Sequence, residues 1–207
     1  MTRHWLAGAL CAVAGTALTA APARATPVLF GAGFANPALK LDFTGVGDNT
    51  AVNNFYAAQG VTFAGLYGTN MFNGALGGDQ PPGPAAINDP GAAPIQSFSI
   101  TFAATQSNVE FWLYTDGSGA TISSSLNGSA VESMNVVNPY NGTSGGTNYF
   151  GFINSAFNKI TITMKNAGVD ALLDNVEVKA AVAEPASAAI LAAGLAGLLL
   201  ARRRRRG

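Results

Sequence analysis

Residues 26–183 are predicted to fold as an all-β, two-sheet sandwich. Three observations carry the prediction. Short runs alternate apolar and polar residues with a period of two. An Asn-Gly pair separates two such runs. No helical period is sustained between the two apolar ends of the chain. In order, Leu39–Phe43 and Val61–Leu66 are the first expected strands. The next, Ser97–Phe102, sets Phe98, Ile100 and Phe102 on one face. Val109–Tyr114 is apolar on both parities apart from Glu110, as expected of a central strand. Thr121–Leu126 and Ser129–Val136 flank Asn127-Gly128, the strongest short-range signal for a two-residue hairpin. Tyr149–Ile153 follows, and Lys159–Lys165 then alternates Ile160, Ile162 and Met164 with Thr161 and Thr163. Leu172–Lys179 completes the set. Short strands joined by Gly/Asn turns suit a sandwich. The Gly- and Pro-rich stretch Tyr67–Pro94 reads as one long loop, a length associated with function or mobility.

The two ends have a different character. Arg3 and His4 form a short positive region, Trp5–Thr19 an apolar one, and Ala23-Arg24-Ala25 a small-x-small site. This pattern predicts a secretory signal peptide, a helix removed after Ala25 by signal peptidase once the secretion machinery has engaged it. A second membrane helix is the alternative. Cys11, the sole cysteine, follows Leu10 where a lipoprotein signal needs a small residue, so no lipid anchor is expected and the exported domain has no disulfide.

At the other end, Glu184-Pro185 precedes the apolar run Ala186–Ala201 and then Arg202, Arg203, Arg204, Arg205 and Arg206. A helix of those 16 residues spans about 24 Å, slightly less than a hydrocarbon core of roughly 30 Å. The arginines are expected on the cytoplasmic side, leaving residues 26–183 outside the inner membrane. The order of signal, domain, Glu-Pro, apolar helix and terminal arginines resembles the PEP-CTERM proteins of Gram-negative bacteria. The resemblance rests on residues 184–207, and the chain departs from the family at Ala183, where a first proline is usual. It implies processing near Glu184 and Pro185 by an exosortase-type membrane protease, after transient residence in the inner membrane. It also implies a final place at the cell surface or outside the cell, in association with exopolysaccharide and biofilm. The alternative is a plain anchor that is never removed.

The body is similar to the jelly-roll domains of exported bacterial proteins, which share their outline with carbohydrate-binding modules. The likeness rests on Leu41-Asp42-Phe43, Ala51–Tyr56, Gln59-Gly60-Val61-Thr62-Phe63-Ala64-Gly65 and Leu173-Asp174-Asn175-Val176. It implies a two-sheet jelly roll whose first and last strands are close, joined by a structural Ca²⁺ with Asp42 and Asp174 as ligands. Thr44 stands where such domains often have a second acid. From the residues alone, Asp174 shares parity with Leu172, Val176 and Val178 and is expected to face the core. There an ionised carboxylate needs a partner, either a metal or, as a turn cap, backbone amides.

Residues 26–183 carry four lysines against ten carboxylates, a net charge of −6, and no arginine. Nucleic-acid binding is excluded on that ground. His4 leaves with the signal peptide, so histidine- and cysteine-based catalysis is excluded as well. Only a carboxylate pair of the glycosidase kind would remain, and no spacing marks one. Trp112 and Tyr140 are candidate sugar-stacking aromatics; for Trp112 the alternative is packing in the core or against a loop. The expected function is that of a non-catalytic cell-surface or matrix protein. The alternatives are a carbohydrate-binding module with a defined glycan ligand and a glycan-active enzyme.

Overall fold

The computed structural model describes residues 26–70, 83–115, 119–137 and 148–180. The signal peptide with Ala25, Tyr140, and the tail with Glu184, Pro185 and Arg202–Arg206 lie outside the described residues. Among those described, no helix is long and apolar enough to cross a membrane, and the segment 186–201 falls outside that search.

Twelve strands account for nearly all regular structure among the described residues. They are β1 (Thr26–Gly31), β2 (Leu39–Leu41), β3 (Val61–Ala64), β4 (Tyr67–Thr69), β5 (Ala85–Ile87), β6 (Ser97–Gln106), β7 (Val109–Thr115), β8 (Ala120–Leu126), β9 (Ser129–Val136), β10 (Tyr149–Ile153), β11 (Phe157–Met164) and β12 (Ala171–Val178). The larger sheet runs β1-β10-β7-β12-β5-β4, with β2 also paired to β12; the smaller runs β3-β6-β11-β8-β9. Every pairing is antiparallel.

The period-two runs explain the smaller sheet. Ile160, Ile162 and Met164 of β11 turn inward beside Phe98, Ile100 and Phe102 of β6 and Ile122 of β8. Facing them from the larger sheet are Val109, Phe111 and Leu113 of β7, Phe150 and Phe152 of β10, and Leu173 of β12. Each such side chain contributes about 1.5–3 kcal/mol when fully buried. Asn127 (φ 51°) and Gly128 (φ 86°) form the hairpin tip, both left-handed as a type I′ turn requires, with Leu126 paired to Ser129 across it. Gly60 (φ 78°) closes a 3₁₀ turn at Ala57–Gln59 and launches β3, whose Val61 and Phe63 point inward.

Tyr67–Pro94 is not one loop. It contains β4 and β5, which pair with each other, while β5 pairs with β12. Both strands are three residues long, too short to show a period. Asn88 anchors them: its Nδ2 donates to the carbonyls of Ile95 (2.9 Å) and Val169 (3.0 Å), and its Oδ1 accepts the Ala171 amide (2.8 Å). One fully buried amide side chain thus stands in for three ladder bonds.

Candidate functional site

Chemistry collects on the face of the larger sheet that points away from the sandwich core. β7 is buried along both faces, with Val109, Phe111 and Leu113 inward and Glu110, Trp112 and Tyr114 outward. Register then fixes the company these residues keep. Trp112 is opposite Tyr149 on one side and Asp174 on the other; Glu110 is opposite Gly151 and Glu177. Glu177 is in turn opposite Lys40 of β2. Beside them Ile87, Trp112, Tyr149 and Leu172 form a second apolar cluster, flanked by Tyr67 and Tyr114.

A bulge decides where Asp174 points. The β12–β7 register shifts between Asp174 and Glu177, and Asn175 within it has a φ of 45°. The extra residue reverses side-chain parity. Leu172, Asp174 and Glu177 therefore face outward, while Leu173, Val176 and Val178 join the main core. The parity argument, which set Asp174 with Val176 and Val178, is overturned by that inserted residue. Asp174 is nonetheless 2% exposed, and its Oδ1 accepts the Asn175 amide at 2.6 Å, in mid-strand rather than at a strand start. Burial pushes its carboxyl up to about 8; the Asn175 amide opposes the shift, Asp42 adds to it and Lys40 opposes it.

The β1–β2 connection lies over the other two acids. Phe34 N–H donates to Glu177 Oε2 at 2.7 Å, and Lys40 Nζ stands 3.3 Å from Glu177 Oε1. Gly33 has a φ of 76°, and a Cβ there would come within 2.9 Å of Glu177 Oε2 and 3.0 Å of the Tyr149 ring. A Cβ at Gly31 would come within 3.4 Å of Glu110 Oε2. That oxygen has no hydrogen-bond partner, nor has Trp112 Nε1. The Glu110 carboxyl is shifted upward, first by burial and then by Glu177, with the Gly33 amide and Lys179 opposing. Burial, followed by Glu177, also raises the Tyr149 phenol.

Of the residues singled out in the sequence, Asp42 is exposed just after β2, its Oδ1 accepting the Thr44 amide at 3.1 Å. Asp42 and Asp174 are close enough to interact electrostatically. Trp112 is 1% exposed and lies nearly parallel to Tyr114, their centroids 6.4 Å apart, within the second cluster. The pairing of Glu110 with Glu177 was not foreseen. Its one sequence signal was Glu110 as the polar exception in β7, since the partner lies 67 residues away. Among the described residues no group of three or more His, Cys, Asp or Glu is arranged to hold a metal. No protein family, curated protein or solved structure compared with the chain matches it.

Proposed function

We propose that the chain is a non-catalytic exported protein of the cell surface or extracellular matrix, sorted through its C-terminal tail and associated with exopolysaccharide. The observation that carries this reading is a two-sheet antiparallel sandwich bracketed by a signal-peptide pattern and a Glu-Pro, apolar and arginine tail. Its partners are signal peptidase, the secretion machinery, an exosortase-type protease and a polysaccharide. The sandwich is read as a jelly roll, supported by β2, which carries Leu41, pairing with the final strand β12.

The non-catalytic reading draws support from Glu110 and Glu177. These carboxylates are 7% and 4% exposed beneath the β1–β2 connection, a depth at which a sugar ring does not reach them. A Ca²⁺ ion between Asp42 and Asp174 belongs to the same reading. The two carboxylates are close enough to interact electrostatically, and each uses Oδ1 for a neighbouring amide, leaving Oδ2 as the oxygen to offer a metal.

Mass spectrometry of the C-terminal peptide from secreted and membrane fractions tests the reading. Chains ending near Glu184 and lacking the arginines support it. Chains that keep Arg202–Arg206 in the inner membrane overturn the surface placement. A carbohydrate-binding module is the second reading, favoured by Phe55, an aromatic ring 50% exposed against Tyr56. It predicts saturable glycan binding lost in Phe55→Ala.

A further inference from the structure

One row of side chains crosses three strands of the larger sheet. Lys40 of β2 is opposite Glu177 of β12, and Glu177 is opposite Glu110 of β7. Register partners have Cβ atoms about 4.5–5.5 Å apart, so an amine, a carboxyl and a second carboxyl stand in line. Lys40 Nζ is 3.3 Å from Glu177 Oε1, the oxygen bonded to the carbon that an amine attacks. Both acids are more than nine-tenths buried. The other Glu177 oxygen, Oε2, accepts the Phe34 amide at 2.7 Å. An N–H in that place stabilises the negative charge that builds on a carboxyl oxygen when a nucleophile adds to its carbon.

Glu110 supplies a proton carrier to this row, in a domain whose residues 26–183 contain no histidine. Its Oε2 has no hydrogen-bond partner. Burial, followed by Glu177, shifts its carboxyl upward, so a proton is held there more readily than on a solvated acid. Lys179, the other lysine nearby, is turned to the Phe34 ring, 5.8 Å from its centre. Lys40 is therefore the amine that faces Glu177.

We propose that Lys40 and Glu177 condense to an intramolecular isopeptide bond, with Glu110 carrying the protons. The Nζ–Cδ bond forms and the Cδ–Oε1 bond breaks. The ammonium gives up two protons, which Glu110 passes in turn to Oε1, and Oε1 leaves as water. Oε2 stays as the amide oxygen and keeps the Phe34 N–H. Nothing is oxidised or reduced, and the step needs no co-reactant. Groups held in position reach effective molarities of about 10⁵–10⁸ M, and burial keeps out the water that reverses the step. The bond ties the last strand, β12, to the second, β2, and so closes a loop over most of the domain. A domain without cysteine thereby gains the constraint that a disulfide supplies in other exported proteins.

Mass spectrometry of the full-length protein, purified in detergent and held folded for days, tests the bond. The expected result is a species lighter than the sequence mass by one water, accumulating with time. Its digest contains a branched peptide that joins Lys40 to Glu177. The bonded fraction melts about 10–20 °C above the unbonded one. Chain kept in urea stays at full mass. Lys40→Arg, which keeps a cation beside Glu177, forms no such species, and Glu110→Gln forms it at least tenfold more slowly. A folded wild type that stays at full mass overturns the proposal and leaves the row as an ion pair beside a second acid. Water loss undiminished in Lys40→Arg overturns it equally. An unchanged rate in Glu110→Gln overturns the part given to Glu110. Should Glu110→Gln fail to fold, the branched peptide of the wild type decides, its absence refuting the bond.

Discussion

Gly151 offers a sharp test of the close approach of β10 to β7. A Cβ built there overlaps the Val109 carbonyl oxygen and comes within 2.8 Å of the Val109 carbonyl carbon and 2.9 Å of Glu110 Cα. Ordinary contacts of this kind are about 3.5–4.0 Å, so the strands would have to part by roughly 1 Å. The obstacles are backbone atoms, and β7 is flanked by β12 on its other side, so it has nowhere to go. Overpacking of this sort costs about 1–3 kcal/mol, and each strained ladder bond adds about 1 kcal/mol. Gly151→Ala is therefore expected to lose about 3–5 kcal/mol. Gly128→Ala is the control: nothing lies within 4 Å of its Cβ, so only left-handed strain counts, about 1–2 kcal/mol. Urea unfolding followed by tryptophan fluorescence reads both, Trp112 being the only tryptophan of residues 26–183. With a slope of about 1–3 kcal/mol/M, the Gly151→Ala midpoint falls by more than about 1 M and clearly below that of Gly128→Ala. A midpoint equal to the wild type would refute the reasoning.

Other perturbations follow from the same geometry. Asp174 has a folded-state pKa of about 8, above its unfolded value of about 3.9. The folded state therefore holds this proton more tightly, and its contribution to stability is full below about pH 4 and lost as pH rises to about 8. In chelator, the protein should lose up to about 4 kcal/mol between pH 5 and pH 8. Asp174→Asn should remove most of that slope in urea titrations at the two pH values, Glu110 supplying the remainder. Asn88→Ala strips partners from the buried backbone of Ile95, Val169 and Ala171; a loss of about 2–5 kcal/mol is expected in thermal unfolding. Asn175→Val places a β-branched residue at a φ of 45° and should cost about 1–3 kcal/mol by urea unfolding, whereas Asn175→Gly should cost less. Relative to the unbonded wild type, Lys40→Ala leaves the buried Glu177 carboxylate with the Phe34 amide and without its ammonium partner, and should lower the urea midpoint by an amount equivalent to about 1–3 kcal/mol.

The strands that sequence reasoning found are those whose signal is local. β8 and β9 announce themselves through alternation and Asn127-Gly128, and β7 through its unbroken apolar run around Glu110. β1, β4 and β5 were missed. The latter two are stabilised by Asn88 and by pairing with β12, information that sits more than eighty residues away in the chain. The candidate site was legible as single residues and not as a place. Asp42, Asp174, Trp112 and Glu110 were each recognisable, but which face they share depends on one inserted residue at Asn175. Glu177 looked like an ordinary polar position between Val176 and Val178 until register set it against Glu110.

The position of the last strands has a kinetic consequence. β12 runs between β7 and β5 in the larger sheet, and β11 between β6 and β8 in the smaller. A chain emerging from its N-terminus, whether from a ribosome or through a membrane pore, can finish neither sheet before residues 157–178 arrive. At about 5–20 residues per second that wait is roughly 10–30 s, longer than the milliseconds to seconds in which β-rich domains of this kind close once complete. Thr26, whose partner is Ile153, stays unpaired through most of it. Emergence, more than folding itself, thus sets the pace, and the polypeptide remains threadable until nearly all of it has passed.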